Sequence, residues 1–175
     1  MNKFFFICCF LGFSFLAGAT GIDACIINDG GAYSATTNQK GKYPAVFLIN
    51  DNPQAFEKLA LDYATPLLGV CDYDMDSAYV KWMDFIVSVE KFADENEFDI
   101  KGVKMWIKVF WSSEGKIDHI AYHLKPKSRN INTDSLSDFF ERFMTEYEFP
   151  LKADAPYSHY GGASYPTFYR PVLKE

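Results

Sequence analysis

Basic residues are in short supply. Lys and Arg number 17 against 23 Asp and Glu, a net charge of −6 over 175 residues. No surplus of cations is left to neutralise phosphates, which excludes nucleic acid and anionic lipid as main partners. Cysteine is scarce as well: four in all, with Cys8 and Cys9 near the N-terminus, too few for a disulfide scaffold. The chain also lacks a Gly-Ser nucleophile elbow, a phosphate loop, a dinucleotide fingerprint and a zinc-type Cys/His pattern. With these gone, no cofactor and no metal is expected.

Apolar mass, by contrast, is plentiful. The chain is 49% hydrophobic and 18% aromatic, with 17 Phe, 11 Tyr and 3 Trp. That rules out disorder for most of the length and suits one domain with a short N-terminal annex.

Residues 1–19 read as an address. Met1-Asn2-Lys3 is a short positive start, Phe4 to Leu16 is almost unbroken apolar sequence, and Ala17-Gly18-Ala19 supplies small residues for a signal peptidase. The run is short against the roughly 20 apolar residues a bilayer core demands, so a cleaved export signal is expected and no transmembrane helix in the mature chain. The expected location is periplasmic or extracellular, with a retained anchor or a lipoprotein at Cys25 as alternatives. Mature chains would keep Cys25 and Cys71. An oxidising compartment permits a Cys25–Cys71 disulfide, which chain-entropy arithmetic values at about 4 kcal/mol; two unpaired thiols are the alternative.

Residues 20–42, poor in aromatics and rich in Gly, Asn, Thr and Ala, read as a flexible arm, and 43–175 as a single α+β domain. Ala45 to Ile49 is a short strand. Asn52-Pro53 starts a helix over 53–64, with Asn52 available as cap and Pro53 at a position where its missing N–H costs nothing. A second helix spans about 76–94, with Tyr79, Trp82, Met83, Ile86, Val89 and Ala93 on one stripe. The period then changes to two. Met105, Ile107, Val109 and Trp111 share one face of a strand, and Lys104, Trp106, Lys108 and Phe110 the other. Gly115 turns the chain into a return strand, Ile117 to Leu124. A third helix covers 134–147. Pro156 to Gly162 reads as loop, and Ser164 to Leu173 as a last strand whose Pro166 and Pro171 place it at a sheet edge.

From Gly102 onward the order is strand, Gly turn, strand, polar loop, helix, Phe149-Pro150, Gly161-Gly162, strand. With Val109-Phe110-Trp111, Glu114-Gly115-Lys116-Ile117, the Leu136 to Tyr147 helix and Pro166-Thr167-Phe168, residues 103–173 resemble the C-terminal domain of TonB-like proteins, small β-β-α-β modules of the bacterial envelope. The resemblance implies an antiparallel sheet with that core, plus an N-terminal strand and two helices. It also implies binding of an extended envelope protein or peptide by strand addition, with Thr167, Phe168 and Tyr169 as the pairing residues. Neither a Pro-rich spacer nor a retained anchor is expected, so the implied role is that of the binding module without energy transduction.

Other chemistry weighs less. His119 and His123 would sit roughly 13 Å apart along a strand, too far to share one ion, and read as solvent-facing. Asp72, Asp74 and Asp76 resemble the start of a calcium loop, but Ser77 and Met83 stand where Gly and Glu are wanted, so a solvated helix start is expected. Trp106 and Phe110 share a face with lysines; it is either an exposed binding surface or one covered by the 43–94 segment, and cover is the expectation. The committed reading is a non-enzymatic, exported protein- or peptide-binding module. A small secreted hydrolase using His119, His159 or acids, and an extracellular structural or adhesion subunit, are the alternatives.

Overall fold

The computed structural model describes residues 43–168. The export signal, the arm, Cys25 and Tyr169 therefore lie outside the described residues. In chain order the elements are β1 (Val46–Leu48), α1 (Pro53–Asp62), β2 (Thr65–Pro66), α2 (Leu67–Val70), α3 (Met75–Glu95), β3 (Lys104–Trp111), β4 (Ile117–Leu124), α4 (Thr133–Glu146) and β5 (Tyr157–Ser164).

Together the strands form one sheet in the order β1-β4-β3-β5-β2. The hairpin β3–β4 and the pair β3–β5 are antiparallel, as expected, but β1 runs parallel to β4 and β2 parallel to β5. The sheet is mixed, which corrects the antiparallel expectation. The reason is connectivity: β1 and β2 come from the N-terminal segment and reach opposite edges across α1, and no hairpin constrains their direction.

Period-two alternation sorts the central strands between two layers. Met105, Ile107, Val109 and Trp111 are all fully buried beneath α3 and α4, where Phe85, Phe92, Phe139, Phe140 and Phe143 join them. Burying each such side chain is worth about 1.5–3 kcal/mol. Phe110 and Ala121 point to the other face and are covered by Ala55 and Leu59 of α1 with Phe47 of β1. So α1 does not gather with the other helices around α4; it lies alone on the opposite face. A register shift after Phe110 turns Ile117 into the α3/α4 core beside Trp111.

Local signals explain the ends. Asp74 caps α3, its carboxylate accepting from Asp76 N–H at 3.0 Å and from the Ser77 hydroxyl at 2.7 Å. Asn132 does the same for α4 through Ser135 N–H at 2.8 Å. Asn52 precedes α1 without a side-chain bond, leaving Pro53 as that helix's start signal. Gly115 has φ +88°, and a Cβ there would fall 2.3 Å from the Phe149 carbonyl oxygen. The hairpin turn therefore needs glycine twice over.

Candidate functional site

The last strand is where sequence and structure diverge most. Ser164–Leu173 was the expected strand and Pro156–Gly162 the expected loop, yet β5 occupies Tyr157–Ser164. Gly161-Gly162 reads as a turn signal, but both lie within the strand, each close to a side chain from another segment. A Cβ on Gly161 would lie 2.8 Å from the Trp82 ring, and one on Gly162 would lie 2.7 Å from Lys125 Nζ. Glycine inside a strand here marks close approach, not a bend.

β2 pairs only with Tyr157 and Ser158, so from His159 to Ser164 the outer side of β5 has no strand neighbour among the described residues. Direction follows from the ladder. Tyr165 donates its N–H to the Val103 carbonyl and accepts from Gly102 N–H, so both its groups point toward β3. In an antiparallel ladder this alternates, which turns the N–H and C=O groups of Tyr160, Gly162 and Ser164 outward. These are the groups through which an added strand pairs.

Two surfaces flank that edge. On the α1 face, Tyr160 (45% exposed) and Trp106 (41% exposed) stack with centroids 5.9 Å apart, and Lys125 Nζ sits 4.0 Å from the Trp106 centroid. Lys104 and Lys108 share this face. Tyr79, Met83 and Ile86 of α3 line a groove of about 790 Å³ that runs along the edge and is also lined by Lys104, Lys125, Gly162, Ser164, Tyr165 and Phe168. Tyr165 is buried, its hydroxyl has no hydrogen-bond partner, and burial, with the Glu90 charge second, holds its pKa far above the ordinary phenol value.

The residues expected to pair fall beyond β5. Thr167 donates its N–H to the Glu90 carboxylate at 2.9 Å, Phe168 stands 92% exposed in the groove lining, and Tyr169 lies outside the described residues. The partly open, partly covered aromatic face divides the earlier alternatives: α1 covers Phe110, while the Trp106 end is left bare. Sequence reasoning missed Tyr160, Gly162 and Ser164 because glycine carries no hydropathy and hides the period of two. The tell-tale was His159-Gly161-Ala163 alternating with Tyr160-Gly162-Ser164.

Ionisable groups do not converge. His119 is not solvent-facing: it is 6% exposed, and its Nδ1–H donates to the Pro44 carbonyl at 2.8 Å between Tyr63 and Phe110. His123 keeps a buried Nδ1 without a partner. His159 lies on the other face against Trp82, at 4.5 Å between centroids, and burial lowers its pKa, with Lys108 adding to the shift. Cys71, half-buried after α2 and without a disulfide partner among the described residues, has its thiol pKa raised by burial first of all. Among the described residues no group of three or more His, Cys, Asp or Glu could hold a metal ion, and no helix is long and apolar enough to cross a membrane. No family model, curated protein or solved structure matches the chain.

Proposed function

We propose that the chain is a non-enzymatic binding module, exported to the cell envelope, that takes an extended segment of another protein as an extra strand along β5. The observation that carries this reading is the outer edge at Tyr160, Gly162 and Ser164, which has no strand neighbour among the described residues and lies beside an exposed aromatic pair and a groove of mixed polar and apolar lining. Main-chain bonds would give affinity and the two flanking surfaces selectivity. The β3-β4-α4-β5 order, with β5 beside β3, supports the TonB C-terminal resemblance over its last three strands. The pairing residues move N-terminally from Thr167, Phe168 and Tyr169 to Tyr160, Gly162 and Ser164.

Hydrogen exchange on the full chain tests the edge. With a capped nonapeptide of alternating Val and Thr, the amides of Tyr160, Gly162 and Ser164 should gain protection. Gly162→Pro removes one outward N–H without touching the β3 ladder and should abolish the effect. Unchanged peptide protection in Gly162→Pro, or protection confined to β1, would sink the reading.

A further inference from the structure

A strand added to β5 would have two unlike sides. Side chains opposite Tyr160, Gly162 and Ser164 would lie on the α1 face, and those between them would lie toward α3. On the α3 side they would meet Tyr79, Met83 and Ile86, an apolar wall. On the α1 side they would meet Lys104, Lys108 and Lys125.

What sets these three lysines apart is that they share one sheet face. The chain carries net charge −6, yet they cluster on one sheet face and, among the described residues, none forms an ion pair; Lys58, Lys91, Arg129 and Lys152 take the ion pairs. Their placement follows the edge. Lys104 is the cross-strand partner of Ser164, and Lys108 that of Tyr160. Lys125 Nζ hangs over Gly162, at the place where a side chain on that residue would begin. Burial depresses the Lys108 pKa with no carboxylate to offset it.

We infer that the segment bound along β5 alternates acidic and apolar residues, a specificity that rests on the edge reading above. Carboxylates opposite Gly162 and Ser164 would stand about 10 Å, two strand spacings, from β3, a gap that a Glu side chain and the long Lys104 and Lys125 side chains close between them. The Lys108 ammonium, over the Phe56 and Phe110 rings, adds positive potential from beneath α1. Aliphatic side chains between them would fill the groove against Met83 and Ile86. A sugar on the aromatic pair fits less well. One face of Trp106 carries the Lys125 ammonium at 4.0 Å, a cation that a stacking sugar would have to displace.

The test uses the full chain and three capped nonapeptides in which Val alternates with Glu, Thr or Lys, read by calorimetry and by the part of the tryptophan fluorescence that Trp106→Phe removes. The Val/Glu peptide should bind about tenfold tighter than Val/Thr in low salt, with Val/Lys weakest, and the gap should close at about 1 M NaCl, where the screening length is about 3 Å. Lys125→Gln and Lys104→Gln should weaken Val/Glu alone. Equal affinity for all three peptides, each abolished by Gly162→Pro, overturns the acidic preference and leaves the edge intact. A Val/Glu preference that survives Gly162→Pro overturns edge pairing and the inference with it. Binding by none of the peptides, or Trp106 quenching by cellohexaose alone, also overturns both.

Discussion

Gly161 and Gly162 stand side by side in β5 and meet different neighbours. Gly161 faces the Trp82 ring, which is buried and stacked on Phe85, and so cannot retreat. Gly162 faces the far end of Lys125, a flexible side chain that can swing aside. Gly161→Ala should therefore destabilise the protein by about 1–3 kcal/mol, the usual cost of overpacking. Gly162→Ala should stay within about 0.5 kcal/mol of wild type, as surface changes do. Urea titration of the two variants checks the contrast. Equal losses would mean that the ammonium over Gly162 is held as firmly as the indole. Nothing in the bare sequence separates the two residues, because the difference lies in partners about 80 and 40 positions away.

At the scale of elements, α3 carries its start signal locally. The Asp74 carboxylate holds Asp76 N–H and the Ser77 hydroxyl, and Asp76 adds negative charge at the positive end of the helix. Asp74→Ala should cost about 1 kcal/mol in thermal or denaturant unfolding, whereas Asp72→Asn, which keeps a side chain suited to that residue's φ of +55°, should cost far less. Such short-range logic is why α1, α3, α4 and both hairpin strands were legible from sequence to within about two residues. Strand β2 and helix α2 were not, being two and four residues long with no period to read. The displaced β5 failed for a related reason: proline and glycine were weighed as punctuation, while tertiary contacts with Trp82 and Lys125 decided. The candidate edge shared that fate. The sheet ends on β1 and β2, and β5 is next to last, with only His159 to Ser164 lacking an outer strand neighbour among the described residues.

Over the whole molecule, four strands run one way and β3 alone runs against them. Stability against acid should reflect His159, which is largely buried against Trp82. Its pKa in the folded protein is lowered, so the unfolded chain binds more protons once the pH drops below the ordinary imidazole value of about 6.5. The stabilisation is thus complete above that pH and is lost progressively as the pH falls through the folded value. His159→Gln should flatten the decline in melting temperature between about pH 6.5 and pH 5. An unaltered slope in that variant would place the acid sensitivity elsewhere.

Strand β1, helix α1 and strand β2 form one continuous band that leaves from one margin of the sheet, passes over Phe110 and ends at the other margin. Both outermost ladders thus hang on a single ten-residue coil and its two short tethers. A nick anywhere between Leu48 and Thr65 would slacken both rims together, uncovering β4 along its outer flank and giving β5 two more open positions. The same band, intact, fences one end of the vacant ledge at Ser158, so an incoming ribbon would have a fixed starting mark and no freedom to slide past it.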